Sequence, residues 1–176
     1  MYFRSEETVG GCLYLYSEDG SRLDGAFFAN TKAFGKGLVT PDTKMSPKMP
    51  VFSDAWRWLC AYATRSFIAL YTPDFDPQGT EFQKRVWKIV SRIPYGETRT
   101  YKEVGEVYKK EYNVENISLR SIGAAIGKNP LTILVPCHRV IGSDGSMKGY
   151  AAGIEIKKAL LKFERDNLKR WGMAQK

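Results

Sequence analysis

The run Pro136-Cys137-His138-Arg139-Val140 places a thiol, an imidazole and a guanidinium on three successive residues. His138 is the only histidine in the 176-residue chain. A cysteine in an apolar run is by default a small buried hydrophobe. It becomes a nucleophile as the thiolate, a form that neighbouring histidine or cationic groups favour. The order of residues leaves both uses of Cys137 open. Adjacent residues of a strand point to opposite faces, so His138 would reach the thiol through water or a local bend. Metal binding is the competing chemistry, and it would have to gather Cys12, Cys60, Cys137 and His138. None of these has the short spacing of a structural zinc site, so no metal site is expected. Three cysteines without a CxxC pair fit a reducing compartment rather than a disulfide framework.

The elements that must position these groups can be read outward from them. Leu131-Thr132-Ile133-Leu134-Val135 reads as a buried strand that delivers the cysteine. Before it, Asn129-Pro130 ends a helix over about 118–126, which carries Arg120 in its first turn. That segment is rich in small residues: Gly123, Ala124, Ala125 and Gly127. Glycine inside a helix costs about 1 kcal/mol against alanine. Close approach of another backbone, a neighbouring helix or a DNA strand, would explain the cluster. Capping boxes at Thr80-Glu81-Phe82-Gln83 and Thr100-Tyr101-Lys102-Glu103 open two further helices. The first turns Phe82, Val86, Ile89 and Ile93 inward and carries Lys84, Lys88 and Arg92 on another stripe; the second runs from Tyr101 to about Tyr112. Two helices joined by a short turn, the later one opening with arginine, have the outline of a helix-turn-helix or of a small helical bundle. Downstream, Gly149-Tyr150-Ala151-Ala152-Gly153 can line a flat slot or form an ordinary loop. A last helix turns Ile156, Leu160 and Phe163 inward, has Glu164 at its end, and leads into a basic tail over 165–176.

The first half reads as strands over 12–16 and 23–29, an irregular stretch over 30–50, and a helix capped by Ser53. Ala55, Trp58, Leu59, Tyr62 and Ala63 form the apolar face of that helix, and residues 67–71 read as a strand. The breaker-rich stretch over 72–79 divides the chain into domains 1–76 and 77–176. Charge divides at the same place. Residues 1–76 hold 8 basic and 9 acidic residues, net −1, whereas 77–176 hold 19 and 10, net +9. A polyanion partner for the second half is expected, with a basic solubilising surface as the alternative. At 43% apolar residues the chain can bury a core, yet it has no membrane-length apolar run and no signal peptide. A cytoplasmic protein without a membrane partner is expected.

Taken together, these blocks closely resemble the O6-alkylguanine-DNA alkyltransferases, also called methylated-DNA–protein-cysteine methyltransferases. The residues that carry the likeness are Gly79-Thr80-x-Phe82-Gln83-x-x-Val86-Trp87, Ile93-Pro94-Tyr95-Gly96-x-Thr98 and Thr100-Tyr101. To these add Gly123-Ala124-Ala125 through Lys128-Asn129-Pro130, Val135 to Val140, Gly149-Tyr150, and Leu160-Leu161-x-x-Glu164. The likeness covers about residues 79–164, with a weaker echo over 56–76, and residues 1–50 carry none. It implies an α/β (α+β) fold: a ribonuclease-H-like α/β domain followed by a mostly helical winged helix-turn-helix domain. It also implies a monomer that acts without a cofactor on double-stranded DNA containing O6-alkylguanine, with O4-alkylthymine a second candidate substrate. The protein would dock in the minor groove, flip the damaged nucleotide out, and take its alkyl group irreversibly in a single turnover. Flipping answers a physical need, because the alkylated oxygen lies inside the duplex beyond a side chain's reach.

Carried over by the resemblance, Cys137 is the nucleophile, His138 activates it through water, and Glu164 orients the histidine. Tyr101 gives a hydrogen bond or proton to the guanine, and Asn129 braces the active-site loop. Arg120 fills the space left by the flipped base, while Ser121, Gly123, Ala124 and Lys128 face DNA. Thr132, Val140, Tyr150, Ala151 and Ala152 line the base pocket. Two departures bear on specificity. Ala152 stands where many members have glycine, which would narrow or stiffen the slot. Thr132 occupies a position that is proline in some members and a small hydroxyl residue in others, which favours a roomier pocket. The histidines of the metal-binding animal members are absent, and Cys137 stands where relatives that only bind damage carry tryptophan. The competing readings are a non-catalytic DNA-binding sensor or regulator and a thiol hydrolase or redox protein.

Overall fold

The first strand pair forms around a tight reversal at Val9-Gly10. In this computed structural model, which describes residues 2–29, 31, 44–45, 48–64, 75, 77–170 and 172, β1 (Tyr2–Thr8) pairs antiparallel with β2 (Gly11–Ser17) along its whole length. β2 alternates as a half-buried strand should, with Leu13, Leu15 and Ser17 inward. β3 (Gly25–Phe28) pairs antiparallel with β2, and the short β4 (Lys44–Met45) pairs parallel with β1, giving the order β3-β2-β1-β4. The two expected strands are thus present. β1 was not anticipated, because almost all of its residues are half-buried and neither of its faces is consistently apolar.

Helix α1 (Pro50–Thr64) begins on a proline, whose fixed φ and missing N–H suit the first turn. Ser53 is therefore not its cap. It lies inside the helix, and its hydroxyl donates back to the Met49 carbonyl at 3.4 Å. Ala55, Trp58, Leu59 and Tyr62 are buried as the spacing predicts, together with Val51 and Phe52, whereas Ala63 is exposed. The expected strand over 67–71 lies outside the described residues, as do most of 30–50 and half of the breaker-rich stretch over 72–79.

Both capping boxes form. Thr80 and Gln83 cap α2 (Glu81–Val90), and Thr100 and Glu103 cap α3 (Tyr101–Tyr112). Asn113 ends α3 in the left-handed region, with φ 51°. α4 (Leu119–Gly127) follows Ser118, whose side chain makes no capping bond. α2 rests against both α3 and α4, and the buried Trp87 donates Nε1–H to the Ala125 carbonyl at 2.8 Å.

Residues 131–135 are buried as expected but do not form a strand. Leu131 bridges Ala26 at the edge of β3, with Ala26 N–H on the Pro130 carbonyl at 2.8 Å and Thr132 N–H on the Ala26 carbonyl at 2.9 Å. The chain then doubles back: Ile133 takes φ 71°, and Val135 N–H bonds the Leu131 carbonyl at 2.9 Å. A short apolar run signals burial on all sides without fixing its backbone geometry, and here a tight loop meets the same demand. A 3-10 turn over Cys137–Arg139 follows, then β6 (Val140–Ile141), parallel to β5 (Arg99–Thr100). α5 (Ile154–Arg170) extends well past Glu164, so that residue is mid-helix and not at the end. Its inward face is Lys157, Leu160, Glu164 and Asn167, while Ile156 and Phe163 are only half-buried.

Among the described residues the result is a mixed α/β architecture with one four-stranded sheet, the two-stranded β5–β6 pair and five α-helices. One contiguous apolar core runs from Leu13 and Phe28 of the sheet through α1 and α2 to Leu160 of α5. Among the described residues no helix is long and apolar enough to cross a membrane. The α2–α4 tie is open to test. Trp87→Phe removes an indole donor and part of a buried ring, and should lower unfolding free energy by about 1–3 kcal/mol in urea titrations.

Candidate active site

Asn129 organises the loop that carries the cysteine. Its Oδ1 accepts the Leu131 N–H at 2.9 Å, while Nδ2 donates to the Val135 carbonyl at 2.9 Å and to Cys137 Sγ at 3.0 Å. Cys137 is 8% exposed. Burial raises its thiol pKa, and the Asn129 hydrogen bond, the Lys157 charge and nearby backbone N–H groups work against that rise. The thiol is therefore protonated at rest, and acting as a nucleophile would require a base to take its proton. Because Cys137 and His138 share a 3-10 turn, the opposition of faces expected on a strand does not apply to them.

His138 is fully buried, with Nε2 2.7 Å from Glu164 Oε1. An ionised carboxylate can only accept, so Nε2 carries the proton and Nδ1 is the free base. Nδ1 is buried and has no hydrogen-bond partner among the described residues. Burial lowers the histidine's pKa, Glu164 raises it, and the Arg139 and Lys157 charges lower it further. The net shift is downward, which keeps the imidazole neutral and able to accept a proton.

Glu164 is also fully buried, and it is surrounded by donors. Arg139 meets it through Nε, at 3.1 Å from Oε1 and 3.0 Å from Oε2, and through Nη2, at 2.9 Å from Oε1. The Gly96 N–H reaches Oε2 at 2.9 Å, and the Tyr62 hydroxyl reaches Oε1 at 2.7 Å. Gly96 has φ 77°, and a Cβ there would lie 2.1 Å from Leu168 Cδ1, so glycine is required for that turn to present its N–H. Burial alone would raise the carboxyl's pKa; His138 and Arg139 reverse the effect and hold it at about 2.

A surface groove of about 450 Å³ lies beside this centre, lined by Tyr101, Lys102, Leu119, Arg120, Gly123, Ser143, Lys148 and Gly149. Tyr101 donates to the Lys148 carbonyl at 3.0 Å, and burial together with the Cys137 charge raises its pKa. Tyr101 thus lines the groove and lies within electrostatic reach of Cys137. Gly149 has φ 78°, and a Cβ there would crowd the Tyr101 oxygen at 3.1 Å. Ser121 and Ala124 are exposed on α4, and so is Lys128, its C-cap residue. Tyr150 has a buried hydroxyl without a hydrogen-bond partner among the described residues and meets the His138 ring edge-on at 6.5 Å between centroids. Val140, Thr132 and Ala152 are buried, Ala151 is exposed, and none of the four lines the groove. Among the described residues no group of three or more His, Cys, Asp or Glu is placed to hold a metal ion.

Three side chains at the centre were not singled out from the sequence as site residues. Arg139 clamps Glu164 and also donates to the Ile93 carbonyl at 2.7 Å. Its position in the Cys137-His138-Arg139 run was the available signal. Lys157 is fully buried with Nζ on the Val140 carbonyl at 2.6 Å and the Lys148 carbonyl at 3.4 Å. A charged residue three before Leu160 and seven before Glu164, on one helical face, could have flagged it. Tyr62 carried no signal, since it fits the apolar face of α1.

Comparison with known proteins gives a consistent result. Residues 81–166 match the family described as 6-O-methylguanine DNA methyltransferase, DNA binding domain. A methylated-DNA–protein-cysteine methyltransferase from Methanosarcina acetivorans is 38% identical over 164 residues, covering 93% of this chain and 98% of that protein. Its namesake from Methanosarcina barkeri is 47% identical over 118 residues, 67% of this chain and 71% of that one. Among solved structures, Mycobacterium tuberculosis OGT in complex with DNA superposes with a TM-score of 0.76 at 34% identity, covering 95% of this chain and 94% of that one.

The charge on Glu164 links this centre to acid stability. Its pKa lies near 2 in the folded chain against an ordinary 4.5. The stabilisation is therefore complete above the ordinary value and lost as pH falls from about 5 to 2, a contribution of about 3 kcal/mol. His138, buried neutral, also favours the folded state less as pH falls, from its ordinary value downward. Urea unfolding across this range should show a steep acid limb. Glu164→Gln should be less stable at neutral pH and show a flatter limb; an unchanged slope would refute the assignment.

Proposed function

Because the chain belongs to the methylated-DNA–protein-cysteine methyltransferase family, we propose that it repairs DNA by moving the alkyl group of O6-alkylguanine onto its own Cys137. The observation that carries this reading is the buried Cys137–Asn129 and His138–Glu164 arrangement beside the Tyr101–Arg120 groove. The Cys137 proton passes through water to Nδ1 of His138, and Sγ attacks the alkyl carbon. The carbon–O6 bond breaks, its electron pair stays on the guanine, and Tyr101 supplies a hydrogen bond or proton to the developing charge. A thioether does not revert, so each molecule acts once and no cofactor enters the balance.

In this reading residues 1–76 form the ribonuclease-H-like part, and residues 77–176 form the winged helix-turn-helix part, with α4 as the docking helix. The small residues of α4 support a DNA contact in the minor groove. A Cβ at Gly123 would meet the Tyr101 ring only at 3.8 Å, and one at Gly127 the Gly149 carbonyl only at 4.0 Å. Crowding inside the chain does not require those glycines, whereas a phosphate backbone lying along the helix would. Arg120 sits at the groove to take the place of a flipped base, and Ser121, Ala124 and Lys128 are free to meet the strand. The buried Asn129 braces the cysteine loop. Tyr150, Val140, Thr132, Ala151 and Ala152 form the surroundings of the base, with Thr132 favouring room for adducts larger than methyl.

Two measurements test this function. Incubation with an O6-methylguanine oligonucleotide should add one methyl per molecule to the Cys137 peptide by mass spectrometry. Cys137→Ala should take none while still retaining DNA. An unmodified wild-type peptide with DNA still bound would favour a damage sensor instead. Separately, an O6-benzylguanine oligonucleotide should react at a rate comparable to the methyl substrate; strong exclusion of benzyl would overturn the roomier pocket.

A further inference from the structure

The relay in the second half of the chain is completed by a residue from the first. Tyr62 lies on α1, 102 residues before Glu164, and its hydroxyl donates to Glu164 Oε1 at 2.7 Å. This is the same oxygen that receives His138 Nε2–H, also at 2.7 Å. Tyr62 is held rigidly, stacked on Trp58 at 5.5 Å, edge-on to Tyr95 at 5.2 Å and against Phe163 at 6.0 Å between centroids. Asn167 locks the same corner by donating to the Ala63 carbonyl and to the Tyr95 hydroxyl, each at 3.0 Å.

We propose that Tyr62 is a positioning residue for the reaction: its hydroxyl fixes Glu164 and draws off part of the carboxylate's charge, so that His138 stays neutral and ready to accept the thiol proton. The reasoning is a competition for one oxygen. A carboxylate that faced His138 alone would attract a proton onto the imidazole and turn the base into an imidazolium. Donors from elsewhere weaken that pull while leaving the His138 hydrogen bond geometrically intact. Among the described residues the charged and titratable groups around the pair are Tyr62 from α1, Tyr95 from the turn after α2, Arg139 and Cys137 from the 3-10 turn, Lys157 from α5, and Tyr150 from the loop before α5. Arg139 supplies a full charge, and Tyr62 adds a neutral donor. Burial and Glu164 raise the phenol's pKa well above its usual value, so it remains a donor at every working pH.

The inference rests on the reading of Cys137, His138 and Glu164 as the reacting relay, but its test does not require alkyl transfer. Because the chain has one histidine, labelled imidazole gives a single Nε2–H proton resonance that reports on the His138–Glu164 hydrogen bond. In Tyr62→Phe the carboxylate becomes a stronger acceptor, and this resonance should move downfield at neutral pH. Trp58→Phe disturbs the same packing but keeps the hydroxyl, and should leave it in place. Should Tyr62→Phe fail to fold, 3-fluorotyrosine at position 62 provides a stronger donor of nearly the same shape, and the resonance should then move upfield. An unmoved resonance in a folded Tyr62→Phe, or in the fluorinated protein, overturns the proposal and leaves Tyr62 a packing residue. A wild type that failed to take a methyl group would sink the proposed function without altering this readout.

Discussion

Everything at the centre depends on keeping one carboxylate charged where water cannot reach it. A buried anion is tolerated only when paired and fully hydrogen-bonded. Glu164 meets that condition with four donors from three separate places: Tyr62 on α1, Gly96 in the turn after α2, and His138 and Arg139 in the 3-10 turn. Each donor is fixed by the element that carries it. The anion therefore specifies how α1, α5 and the cysteine loop must meet, and a mispacked arrangement would leave it short of partners. Arg139 and the Gly96 turn are thus as much a part of the fold as of the chemistry.

The thiol is governed by the opposite balance. Burial holds Cys137 in its protonated form, and Asn129, Lys157 and the local N–H groups only partly offset that. Lys157 is itself a buried cation, satisfied by the Val140 and Lys148 carbonyls, without a carboxylate among those partners. Burial lowers its pKa, and the Cys137 charge raises it. The two groups share an electrostatic interest: the cation gains when the thiolate forms, and the thiolate gains from the cation. Such a pair keeps a thiol protonated at rest yet lowers the cost of ionising it once a base is in place.

Much of this was legible beforehand, and the limits have physical causes. The capping boxes at Thr80 and Thr100 were readable because both partners of each box lie within four residues of sequence. The Cys137-His138-Arg139 run and the small residues of α4 stood out because their types are costly or reactive where they occur. The loop over 131–135 was misread because continuous apolar character reports burial and not backbone geometry; the left-handed Ile133 leaves no mark in composition. The inward face of α5 was misplaced by one residue because Ile156 and Phe163 are more apolar than Lys157 and Glu164, which are buried only by virtue of partners on other segments. Tyr62 was unreadable as a site residue for the same reason. Its role is set by a contact 102 residues away.

The charge division of −1 and +9 suggested a basic working half carried by a neutral scaffold. The structure makes the first half more than that. The edge of β3 fixes the backbone on either side of Leu131 through Ala26, and so anchors the loop that ends in Cys137. α1 sends Tyr62 into the relay, and Ala63 accepts from Asn167 on α5. Net charge sees none of these contacts, because they use backbone groups and a neutral phenol. Charge identifies which surface a polyanion would meet. How the groups of the centre are held at their distances is decided largely by hydrogen bonds whose donors carry no charge, and two of those, from Tyr62 and from the Ala26 N–H, come from the half that looked passive.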